Sequence, residues 1–111
     1  MGALLLGERL LKNRGRLRSS INCVVEARGF NESGRVVWKV TCVVKKVGEK
    51  SFLYVIPEKN PPQGEVVNTA LEAVENAEVV VDGVAVLGEE YHDKYQSLLE
   101  QELRKRDLLA K

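Results

Sequence analysis

Ten residues supply the chemistry this chain has to offer: Arg14, Arg16 and Arg18 in an acid-free run, then Arg28, Phe30, Arg35, Lys39, Lys45, Phe52 and Tyr54. Cations neutralise phosphates, and flat rings stack on bases at about 1–3 kcal/mol each. Cations interleaved with aromatics on one surface therefore suit a single-stranded nucleic acid. Catalysis has no comparable set. It needs a nucleophile with a base, paired carboxylates or a metal gathered in a pocket. His92 has Asp93 beside it and Glu89 three residues earlier, but it falls near the start of a surface helix and reads as an exposed histidine. Glycine-rich phosphate loops are missing from the pattern. With Cys23, Cys42 and a single histidine there is no convincing set of soft metal ligands. The expectation is a protein with no catalytic residues, no metal and no cofactor.

For those ten residues to meet, a sheet must hold them. From Ser20 onward the sequence alternates, with Ile21, Cys23, Val25 and Ala27 against Asn22, Val24, Glu26 and Arg28, which is the period of a strand. Asn31, Glu32, Ser33 and Gly34 carry turn chemistry, and alternation resumes through Val36, Trp38, Val40, Cys42 and Val44. A four-residue loop that sets Phe30 against Arg35 places Ala27, Val25, Cys23 and Ile21 opposite Trp38, Val40, Cys42 and Val44. Cys23 then faces Cys42, close enough for a cross-strand disulfide; the same two thiols read otherwise as small buried hydrophobes. Gly48-Glu49 forms the turn of a second hairpin, setting Val47 against Lys50, Leu53 and Val55 against Val44 and Cys42, and Phe52, Tyr54 and Ile56 beside Lys45, Val43 and Thr41. One face of residues 20–57 is then dry, and the other gathers Arg28, Phe30, Arg35, Lys39, Lys45, Phe52 and Tyr54. Glu26 falls beside Lys39 and partly neutralises it.

The flanking segments must cover the dry face. Leu4, Leu5, Leu10 and Leu11 predict a short helix over residues 3–12 within a basic amino-terminal segment, 1–19. Pro57, Pro61 and Pro62 end the sheet. A helix over 65–77 follows, with Val67, Ala70, Leu71, Val74 and Ala77 on one side. Residues 78–87 read as one strand, or as a hairpin turning at Asp82-Gly83. A long helix over 89–109 carries Tyr91, Tyr95, Leu98, Leu99, Leu103 and Leu108. A helix of that length outreaches a domain this small, so residues from Leu99 to Leu109 are candidates for contact with a second copy. The fold class expected is α+β, a single domain over 1–111: an antiparallel sheet of three to five strands with helices packed on it and a long C-terminal helix.

Composition sets the remaining bounds. At 111 residues and 44% apolar, the chain can enclose one core. Its formal net charge of +1 hides the basic run from Arg9 to Arg18. The leucines at 4–6 are too few to cross a bilayer and no cleavage pattern follows, which points to the cytoplasm and to no membrane partner. Charged residues at 30%, acids mostly glutamate and abundant valine lean toward hot environments.

In its order of parts, with Arg14, Arg16, Arg18, Phe30, Phe52 and Tyr54 as the relevant residues, the chain resembles the ThermoDBP-related single-stranded DNA-binding proteins of thermophilic archaea. The resemblance rests on layout and composition over most of the chain, and on no motif matched letter by letter. It implies binding of single-stranded DNA without marked sequence preference and dimerisation through the carboxyl-terminal segment. The residues and the resemblance together lead to a non-enzymatic protein that binds single-stranded DNA or RNA through a basic, aromatic sheet face, as a homodimer through its C-terminal helix. The competing reading is a protein-interaction or dimerisation module whose outer sheet face is covered by a partner.

Overall fold

The computed structural model describes residues 6–12 and 22–111. Five strands form one sheet in the order β1-β2-β3-β4-β5. They are β1 (Leu6–Lys12), β2 (Asn22–Phe30), β3 (Val36–Val47), β4 (Lys50–Glu58) and β5 (Gly83–Val86), with α1 (Gln63–Ala77) between β4 and β5 and α2 (Glu89–Lys105) after β5. The class is α+β, and the sheet is mostly antiparallel: β5 alone runs parallel to its neighbour, β4.

Parity decides the two faces. Cys23, Val25 and Ala27 of β2, Trp38, Val40, Cys42 and Val44 of β3, and Leu53 and Val55 of β4 are buried together. Against them α1 lays Val66, Ala70, Ala73 and Val74, whose i, i+4, i+7, i+8 spacing is one helical stripe. The predicted stripe is rotated by part of a turn, since Val67 and Ala77 are only half-buried. Tyr95, Leu99 and Leu103 of α2 complete the core on the β5 side. Both helices therefore lie on the dry face, as the alternation requires.

The amino-terminal stretch departs from expectation. Leu6–Lys12 is an edge strand, paired antiparallel with β2 from Leu6↔Phe30 to Lys12↔Val24, where leucine spacing predicted a helix over 3–12. An isolated helix shorter than about 12–15 residues is marginal in water, whereas the exposed edge of β2 offers seven residues a ready ladder.

The β2–β3 hairpin keeps its predicted faces and changes its partners. Asn31 Oδ1 accepts from the Ser33 amide, the Ser33 hydroxyl and the Arg35 amide, while the Asn31 amide donates to the Arg35 carbonyl. Arg35 is thereby drawn into the turn, and a bulge beside Gly29 and Phe30 adds one residue more on β3. The register moves by two, which preserves parity. Trp38 faces Gly29 instead of Ala27, and Cys23 faces Val44 instead of Cys42. Of the two readings of Cys23 and Cys42, the disulfide and the small buried hydrophobes, the second holds: both are free, buried thiols.

The β3–β4 hairpin forms in the expected register, from Val47↔Lys50 through Lys45↔Phe52, Val43↔Tyr54 and Thr41↔Ile56. Gly48 has a φ of 64°, and Glu49 is not among the residues of positive φ, the pattern of a type II′ turn. Pro57 extends β4 past Val55↔Val86, the last pair with β5, so its missing N–H breaks no bond on that side. The proline-rich connection that follows is pinned by α2: the Asn60 amide donates to the Tyr91 hydroxyl at 2.9 Å, and the Tyr95 hydroxyl reaches the Pro61 carbonyl at 3.4 Å.

Asp82-Gly83 is not a hairpin turn. Asp82 exchanges bonds with Ser51, its carboxylate accepting from the Ser51 amide at 2.9 Å and its amide donating to the Ser51 carbonyl at 2.7 Å, which anchors β5 alongside β4. The long helix ends at Lys105 rather than 109. Asp107, with a φ of 59°, turns the chain back so that Leu109 bridges Val81. Leu99, Leu103 and Leu109, expected at a contact between copies, are buried in this chain's own core. No helix among the described residues is long and apolar enough to cross a membrane.

Candidate nucleic-acid interface

Because both helices take the dry face, the opposite face keeps its side chains at intermediate exposure: Val24, Thr41, Val43, Phe52, Tyr54 and Ile56 are all half-buried by their sheet neighbours. Register arranges this face in rows that cross the strands. One row runs Asn22, Lys45, Phe52, Gly83; the next runs Lys12, Val24, Val43, Tyr54, Ala85. Glu26, Thr41 and Ile56 form a third, and Arg28, Lys39 and Glu58 a fourth. Phe30 lies beyond these, paired with Val36 beside the β2–β3 turn.

The expected residues thus divide between two ends. Lys45, Phe52 and Tyr54 meet at the β3–β4 hairpin end. Phe52 stands directly across from Lys45, and its ring lies against Gly83, where a Cβ would be only 3.3 Å from the ring carbon Cδ1. Ala85, beside Tyr54, is likewise small, so β5 raises no wall next to either ring. Lys50 joins them on the same face, two residues before Phe52 on β4. Its relevance went unread in the sequence, although the two-residue turn at Gly48-Glu49 fixes its side once the register is set. Neither Lys45 nor Lys50 has an ion-pair partner among the described residues, and both are exposed.

Arg14, Arg16 and Arg18 lie outside the described residues. The nearest described residues on either side of them, Lys12 and Asn22, are paired with Val24 and Lys45.

Arg28, Lys39, Phe30 and Arg35 occupy the other end, Arg28 and Lys39 about 20 Å and Phe30 and Arg35 about 30 Å from Lys45 along the strands at ~3.3 Å per residue. Here the cations are committed. Glu26 is 5% exposed, and its carboxylate accepts from Arg28 Nε at 2.9 Å and lies 3.7 Å from Lys39 Nζ. The expected Glu26–Lys39 neighbourhood exists as a diagonal ion pair, since Lys39 is now directly opposite Arg28. Glu58 and Lys59 add one charge of each sign around a cavity of about 310 Å³. Arg35 is exposed in the turn, and Phe30 shares no row with Phe52 or Tyr54.

The remaining reactive groups are quiet. Burial pushes the Cys42 thiol far above its ordinary value, and burial followed by the nearby Glu72 carboxylate raises that of Cys23. Both stay protonated near neutrality and are poor nucleophiles. His92 is exposed, with Nδ1 3.8 Å from an Asp93 carboxylate that is itself in solvent. Among the described residues no three of His, Cys, Asp and Glu converge as a metal site.

No family model matches the chain, and no curated protein or solved structure does so either.

Proposed function

We propose that this protein is a non-enzymatic, cytoplasmic single-strand binder, taking single-stranded DNA or RNA with little sequence preference on the outer face of its sheet. The observation that carries the reading is Phe52 between two cations, Lys45 across the ladder and Lys50 two residues before it, on the face the helices leave open, with Tyr54 in the adjoining row. Rings stack on any base because every base has a π-face, and backbone charge is met by lysine, so the combination is tolerant of sequence. Buried thiols and an exposed histidine supply no nucleophile, which favours binding over chemistry.

The competing module, in which a partner protein covers this face, draws on the half-buried Val24, Val43 and Ile56 between the charged rows. Substituting Phe52→Leu and Tyr54→Leu separates the two. Leucine preserves apolar cover and removes the flat ring, so a single-strand binder loses affinity for a labelled oligonucleotide while remaining folded and unchanged in mass. A protein-interaction module would keep its partner and show no oligonucleotide binding to lose.

A further inference from the structure

We propose that two copies of this chain associate at the β3–β4 hairpin end, the hairpin tip of each docking in an apolar groove of the other. The contact is independent of what the outer sheet face binds. Val74, Val79, Val80 and Leu108 line an open groove of about 350 Å³ between the end of α1, the connection into β5 and the carboxyl-terminal turn, with Glu75 and Glu78 as its charged members. Val80 is 49% exposed, and Val47 at the hairpin tip is 53% exposed; they are the two most exposed large hydrophobic side chains among the described residues. Asp82 holds both features at one end of the molecule, because its paired bonds to Ser51 set residues 79–81 beside the hairpin. A knob and a groove side by side are what a twofold axis turns into two identical contacts.

Charge selects a second copy as the occupant. Lys46 precedes Val47, and Lys50 stands directly across the ladder from it. Residues 45–50 hold three lysines against the single acid Glu49. By contrast, α1 closes on Glu75 and its C-cap Glu78, with no base in its last turn. Carboxylates at that position oppose the helix dipole, whose carboxyl end favours cations. None of Lys46, Lys50, Glu75 and Glu78 has an ion-pair partner among the described residues, and all four are exposed. In the contact a lysine-flanked valine enters a valine-lined groove flanked by acid, which covers both exposed valines and brings cations to the end of α1. The surface involved is small, so the dimer is weak and depends on protein concentration.

Sedimentation equilibrium on the protein alone, at low salt and over a range of concentrations, tests the contact; oligonucleotide is left out because Lys50 also serves the nucleic-acid reading. Lys46→Glu with Lys50→Glu, and separately Glu75→Lys with Glu78→Lys, should each weaken self-association about tenfold or more, since like charges then face each other. An equimolar mixture of the two double variants should associate again, because every tip now meets a groove of opposite sign. Val80→Ser, which alters no charge, should weaken the dimer as well and reads the groove even if a charge-reversed variant fails to fold. A chain that stays monomeric at the highest concentration, a dimer that survives either reversal, or a mixture no better associated than its components would overturn the proposal.

Discussion

Lys45 stands directly across the β3–β4 ladder from Phe52, and the ring of Phe52 in turn rests beside the Cα of Gly83. Glycine inside a strand is costly unless something packs over it, and here an aromatic from the neighbouring strand does so. The ring is held in place from below and flanked by charge. Gly83→Val should crowd that position, move the Phe52 ring, and weaken oligonucleotide binding about as much as removing the ring, on the order of 1–3 kcal/mol. Anisotropy titration beside a thermal melt of the same variant checks it.

Gly29 tests the core in the same way. A Cβ at Gly29 would overlap the Trp38 indole, whose Nε1 is buried with no hydrogen-bond partner among the described residues. Gly29→Ala should cost about 1–3 kcal/mol through overpacking and shift the fluorescence of the chain's single tryptophan. Urea unfolding followed at the tryptophan emission reads both effects.

The free edge of β5 is closed by a side chain. Gln96 of α2 accepts from the Val86 amide at 3.1 Å and donates to the Val84 carbonyl at 2.7 Å, which imitates the bonds a further parallel strand would make. Gln96→Ala should destabilise by about 1 kcal/mol, since water reaches this half-buried edge. It should also speed hydrogen exchange at the Val86 amide and raise self-association, because a bare edge is a template for pairing.

The buried thiols predict a pH response with a definite sign. In the folded protein Cys42 keeps its proton well above its ordinary value of 9.0, so above that pH the unfolded chain loses a proton that the folded one retains. Stability from this group is complete below about pH 9 and falls as pH rises beyond it, by up to about 1.4 kcal/mol per pH unit. Urea unfolding between pH 7 and 10.5 should show a shallower alkaline decline for Cys42→Ala than for the unchanged protein. A thiol reagent at neutral pH should label neither cysteine until the chain unfolds.

Much of the fold is legible because parity survives small errors. Gly48-Glu49 fixes the turn of the second hairpin, so Val47↔Lys50 and every pair after it can be read from the residues. In the first hairpin the faces are legible and the partners are not. Nothing in Asn31-Glu32-Ser33-Gly34 announces that Asn31 Oδ1 will bind the Arg35 amide and lengthen the loop, nor that a bulge follows. Leu6–Lys12 is ambiguous locally, and pairing with a strand distant in sequence decides it. Asp82-Gly83 has the letters of a hairpin turn, but Ser51 engages Asp82 first. Of the candidate site, Lys45, Phe52 and Tyr54 come together as the alternation requires. Glu26 beside Lys39 was readable, though not that Arg28 shares the same buried carboxylate. Phe30 was readable as an aromatic on the right face, though not as one at the far end of it.

Salt dependence of oligonucleotide binding tests single-strand binding most directly. For single strands log K falls with log salt by about 0.7 per phosphate neutralised, so Lys45 and Lys50 alone give a slope of roughly −1.4, and steeper if Arg14, Arg16 and Arg18 take part. Anisotropy of a labelled oligothymidylate, titrated at stepped salt, should show that linear decline, and Phe52→Leu should lower the line without changing its slope. No binding at the lowest salt, or an affinity indifferent to salt, would contradict the account.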